Sequence, residues 1–80
     1  MKLHALLSGR VAEAVAVVEA MLAYAPDQAP LWREAGMMHL RLDDLPAAIA
    51  ALEQFAGRTA NGAARRRTQM LLQDLRARMH

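Results

Sequence analysis

Eighty residues with 55% hydrophobic content and a net charge of +2 describe one small domain, and the absence of cysteine excludes disulfides, thiolate metal sites and a cysteine nucleophile. Alanine, leucine, valine and methionine make up most of the apolar share, aromatics are limited to Tyr24, Trp32 and Phe55, and β-branched runs are few, so helix is favoured throughout. Glu13 and Glu19 interrupt the best apolar stretch, no membrane span is expected, and the short opening MKLHALLSG with its His4 is not read as a leader, which makes the cytoplasm the expected compartment.

Residues 2–8 read as a short helix ended by Gly9, a residue that tolerates the left-handed conformation of a helix end. A second helix over 11–24 carries Val11, Val15, Val18 and Leu22 on one stripe, widened by Val17 and Met21. APDQAP is a turn, and Pro30 suits the first turn of a third helix over 30–42, with Leu31, Trp32, Ala35, Met38, His39 and Leu42 inward. Asp43-Asp44 then breaks the chain. Asp44 is the expected N-cap of a fourth helix over 45–57, whose inner stripe is Ile49, Leu52, Phe55 and Ala56. Gly57 to Gly62 forms the next turn. Asn61 is placed to cap a fifth helix over 62–79, with Ala64, Thr68, Leu71, Leu72, Leu75 and Met79 inside.

A faint repeat underlies this order. Shifting the chain by 34 residues puts Leu6 on Leu40, Ala14 on Ala48, Val15 on Ile49, Ala16 on Ala50, Glu19 on Glu53 and Ala29 on Ala63. A period of this size marks a helical solenoid, in which each helix pair buries its apolar face on its neighbours. It shifts the expected function from chemistry at a site to binding along a surface.

Segment 29–62 resembles a tetratricopeptide repeat. Trp32, the small pair Ala35-Gly36 and His39 match the family's first helix, and Ala48 with Leu52 match the second. Phe55 stands where a small residue is usual, and Ala60 where the family closes with proline. In the preceding repeat Gly9, Ala14 and Pro26 fall in phase. The resemblance implies an all-α, right-handed solenoid of about two and a half repeats: a truncated first repeat over 1–28, a second over 29–62 and a capping helix over 63–80. The runs APLWREAGMMHLRLDDLPAAIAALEQF and AARRRTQMLLQDLRARMH also resemble the C-terminal helical region of bacterial SirB-type proteins, which join a transglutaminase-like domain to such repeats. The chain holds no part of that catalytic domain, so no catalytic residue carries over.

The function implied is a non-catalytic protein-interaction module that holds a peptide or partner helix on its concave face. Arg33, Met37, Leu40, Arg41 and Arg67 are the expected contacts. Some members of the family hold a partner's terminal carboxylate with Lys, Arg and Asn. Met37 stands in the Asn position here, so that specificity is not implied. Because only about half of a first repeat precedes Gly9, the face formed by Leu3, Leu6, Leu7, Val11, Val15 and Val18 is expected to be open, and the chain to self-associate there as a homo-oligomer. A self-associating repeat piece with no ligand is the alternative.

Charge is uneven. Residues 1–57 carry four bases against seven acids, net −3, whereas 58–80 carry six arginines against Asp74, net +5. Arg65-Arg66-Arg67 oppose the dipole of the helix they open, each by about 0.3–1 kcal/mol if unpaired. They read either as an anion or nucleic-acid contact or as a solvated face paired to acids such as Glu53. Without interleaved aromatics, nucleic acid is the lesser reading. His4, His39 and His80 lack metal-ligand spacing, and His39 with Asp43 reads as a packing residue and a helix end, so no metal, cofactor or catalytic role is expected.

Overall fold

The computed structural model describes residues 2–79, with side chains from Gly9 onward. It contains four helices: α1 (Lys2–Tyr24), α2 (Ala29–Arg41), α3 (Leu45–Arg58) and α4 (Gly62–Ala77). The described residues form a thin slab, 40 × 34 × 18 Å, in which backbone packing runs only between sequence neighbours: α1 on α2, α2 on α3, α3 on α4. Nearest-neighbour packing of this kind is how a solenoid builds its core.

Five helices were expected, and the described residues form four. Gly9 does not end a helix; it lies inside the 23-residue α1, with a negative φ. Glycine in a helix interior costs only about 1 kcal/mol relative to alanine. That cost breaks a helix only where tertiary contacts reward a turn. Likewise Gly57 is still helical, and the third turn begins at Thr59.

The turn between α2 and α3 is built from local chemistry. Asp43 adopts φ 57°, the left-handed position just past the helix. Its N–H donates to the Leu40 carbonyl at 3.0 Å, and the Asp44 N–H donates to the His39 carbonyl at 2.9 Å. These two bonds are the pattern that satisfies the last carbonyls of a helix ending in the left-handed region. Asp44 then caps α3, its carboxylate accepting from the Ala47 N–H at 3.3 Å. One residue thus closes one helix and opens the next. Asn61 does the same service for α4, accepting from the Ala64 N–H at 3.0 Å. At the first turn, the Trp32 indole N–H donates to the Pro26 carbonyl at 2.8 Å, and the Arg58 guanidinium lies 5.2 Å from the Trp32 ring centroid. Three elements are fastened at that one side chain.

Two apolar clusters make the core. Val18 and Leu22 of α1 meet Ala35 and Ala51, with Leu31, Trp32 and Met38 packed around them. Ile49 and Leu52 of α3 meet Leu72 and Leu75 of α4, with Leu40, Leu45 and Leu71 around them. Ala48 is fully buried, and Gly36 is buried against α3. A Cβ at Gly36 would lie 2.7 Å from Leu52 Cγ, so glycine is what lets α2 and α3 come this close. The expected inward stripe of α3 holds. Methionine placement does not: Met21 is 47% exposed because the stripe of α1 that meets α2 is narrower than its apolar run, and Met79, 49% exposed, lies beyond the end of α4 at Ala77.

Candidate functional site

A cleft of about 160 Å³ lies where α2, α3 and α4 converge. Leu52 and Phe55 of α3 form an apolar floor with Leu71 of α4, and Thr68 stands beside them. Arg33 and Met37, one turn apart on α2, line one side; Arg67 of α4 lines the other. Three of the five expected partner contacts therefore gather at one cleft although Arg33 and Arg67 are 34 residues apart. That separation equals the repeat period, which places equivalent residues of successive repeats side by side. All three are exposed, and among the described residues neither arginine has a carboxylate partner.

The other two expected contacts lie elsewhere. Leu40 packs against the Ile49, Leu52, Leu72 and Leu75 cluster and serves the core; it does not line the cleft. Arg41 is exposed at the last turn of α2 and does not line the cleft, though there it complements the helix dipole.

The arginine run divides by role. Arg65 Nε donates to the Ala56 carbonyl at 3.0 Å, and its Nη2 donates to the Thr59 carbonyl. It therefore satisfies carbonyls at the C-terminal end of α3, which would otherwise lack partners. Thr59 Oγ1 accepts from the Asn61 N–H at 3.2 Å, so the whole α3–α4 turn is tied down. Arg66 is exposed and Arg67 belongs to the cleft. Glu53 pairs with Arg76, not with the run. Periodicity could not assign Arg65 this role, since its partners lie on another element.

The expected self-association face needs correction. Val15 and Val18 are buried, because α2 already covers that stripe of α1, and Val11 is half-buried. Leu3, Leu6 and Leu7 have side chains outside the described residues. Among the described side chains of α1, the large apolar ones that are exposed are Val17, Met21 and Tyr24.

A second groove, of about 430 Å³, runs between α1 and α3 over α2, lined by Ala47, Ala50, Ala51, Trp32 and His39. His39 Nε2 lies 3.4 Å from Glu19 Oε1, while its buried Nδ1 has no hydrogen-bond partner. His39 thus faces Glu19 of α1, and among the described residues no hydrogen bond or ion pair links it to Asp43. Among the described residues no three potential metal ligands cluster, and no helix is long and apolar enough to cross a membrane.

The tetratricopeptide repeat family model matches residues 2–73. The chain belongs to the tetratricopeptide repeat family. No curated protein and no solved structure matches the chain. Tetratricopeptide repeats are generally non-catalytic and mediate protein–protein interaction, and this repeat protein shares their all-helical, pairwise-packed build.

Proposed function

We propose that this tetratricopeptide repeat protein binds an acidic peptide or partner helix, with an apolar side chain in the cleft between α2, α3 and α4. The observation that carries the reading is the convergence of Arg33 and Arg67 over the Leu52–Phe55–Leu71 floor, with no carboxylate of the described chain engaged to either. A guanidinium presents a planar fork of donors that matches a carboxylate in two-point geometry. Met37 between them is flexible and polarizable, suited to varied apolar partners. An acid–apolar–acid arrangement on the partner fits this layout: the apolar group enters the cleft, and flanking carboxylates meet the arginines.

The test is fluorescence anisotropy with two labelled peptides of roughly twelve residues, one of glutamate and leucine, one of lysine and leucine, long enough to cross the groove. The glutamate peptide is expected to bind and to weaken with added salt. Arg33→Glu with Arg67→Glu is expected to weaken it at least tenfold, with helicity unchanged because both side chains are exposed. Equal binding of both peptides, or an unaffected double variant, would refute the assignment.

A further inference from the structure

Met37 lines the Arg33–Arg67 cleft and is 38% exposed, so small solutes reach its thioether. It stands one turn after Arg33 on α2, where side chains four apart are neighbours, and Arg67 lines the other side. Neither guanidinium has a carboxylate partner among the described residues. Met21, Met70 and Met79 are exposed too but do not line this cleft, and Met38 packs against the α1–α2 cluster. A thioether is a weak acceptor, so the free donors beside Met37 gain little from it in its reduced form.

Oxidation changes that. A peroxide supplies the oxygen: the sulfur lone pair attacks one oxygen of hydrogen peroxide, the S–O bond forms as the O–O bond breaks, and the other oxygen leaves as water. Sulfur gives up two electrons and the peroxide takes them. The product is a sulfoxide, a polar side chain that sulfoxide reductases return to methionine. Its oxygen is an acceptor, and hydrogen bonds from charged donors are among the strong ones. We propose that Met37 is a peroxide-sensitive modification site whose sulfoxide oxygen is held by Arg33 and Arg67, closing the cleft. Two effects act together. The guanidinium forks turn inward, away from a partner's carboxylates. A polar oxygen also enters a cleft of only about 160 Å³ floored by Leu52, Phe55 and Leu71, where an apolar partner group would bury it at a cost. The loss of partner binding rests on the acidic-peptide reading of this cleft; the capture of the oxygen does not.

The test uses the whole chain with Met21, Met70 and Met79 replaced by leucine, treated with hydrogen peroxide until mass spectrometry shows Met37 oxidised. In nitrogen-15 spectra the Arg33 and Arg67 Nε–H signals are expected to move, while that of Arg41, outside the cleft, stays. Adding Met37→Leu is expected to abolish the movement. By fluorescence anisotropy, oxidation is expected to weaken the glutamate–leucine peptide at least tenfold, and sulfoxide reductases acting on both epimers to restore it. The Met37→Leu protein, compared with itself before and after peroxide, is expected to change less than twofold. Arginine signals that ignore Met37 oxidation, or that move equally in the Met37→Leu protein, would overturn the proposal. A peptide that binds reduced and oxidised protein alike would overturn it too, and would spare the acidic-peptide reading. A peptide that never binds the reduced protein refutes that reading instead, and the arginine signals then decide the capture alone.

Discussion

Replacing Gly36 by alanine tests the closest helix contact in the chain. The added Cβ would lie 2.7 Å from both Cγ and Cδ2 of Leu52 and 3.5 Å from the Leu52 backbone nitrogen. Carbon pairs rest at about 3.5–4.0 Å, so the first two contacts fall short by roughly 1 Å. Leu52 is 2% exposed and packed with Ile49, Leu72 and Leu75, so any shift of its side chain disturbs the α3–α4 cluster. The helices must separate, or Leu52 must leave its rotamer; overpacking of this kind costs about 1–3 kcal/mol. Against that, alanine gains about 1 kcal/mol over glycine in a helix interior. Gly9→Ala is the matched control: the same chemical change inside a helix, with nothing within 4 Å of the new Cβ. Subtracting one variant from the other cancels the propensity gain and leaves the overpacking, about 1–3 kcal/mol. Gly9→Ala is expected to stabilise the protein by about 1 kcal/mol and Gly36→Ala to destabilise it by about 0–2 kcal/mol. Urea titrations followed by ellipticity at 222 nm, at one protein concentration, measure both. If Gly36→Ala proves as stable as Gly9→Ala, the α2–α3 packing described above is wrong. If Gly9→Ala destabilises, so is the unbroken α1.

Two further substitutions separate structural polar groups from incidental ones. Arg65→Met strips the Ala56 and Thr59 carbonyls of a charged donor and is expected to lower stability by about 1–3 kcal/mol, whereas exposed Arg66→Ala stays within about 0.5 kcal/mol of wild type; thermal melts read the difference, since 1 kcal/mol moves the midpoint by roughly 4–8 °C in a domain this small. His39→Leu removes a buried, unpartnered Nδ1 and gives up only a contact to a glutamate whose side chain is 58% exposed, so urea titration is expected to show no loss and up to about 1 kcal/mol of gain. A loss above that size in His39→Leu would mean that the imidazole makes a bond the packing does not reveal.

Helix N-caps were legible in the sequence because the group they bond lies only three residues away. Asp44 and Asn61 cap the helices they were expected to cap, since a cap bonds to an N–H three residues ahead. Pro30 sits in the first turn of α2, and the α3 stripe of Ile49, Leu52, Phe55 and Ala56 is buried. The cleft was legible in part because the 34-residue period carries Arg33 and Arg67 to equivalent places on successive repeats. What failed depends on contacts between distant elements. Leu40 satisfies the same periodic pattern whether it faces a groove or the α3–α4 cluster, and only the placement of α4 decides between them. In the sequence Arg65 is one of three equivalent arginines, and only the end of α3 beside it sets it apart.

The glycines show why composition alone could not settle the first helix. Gly36 is required, because a backbone-to-leucine contact leaves no room for a methyl group. Gly9 is merely tolerated: its small helix penalty is outweighed when continuing the helix keeps backbone bonds that a turn would break. A turn at Gly9 would have to be rewarded by packing residues 2–8 back onto α1. The face such a hairpin would most need to cover, Val15, Val18 and Leu22, is already taken by α2. With that reward gone, the straight helix wins.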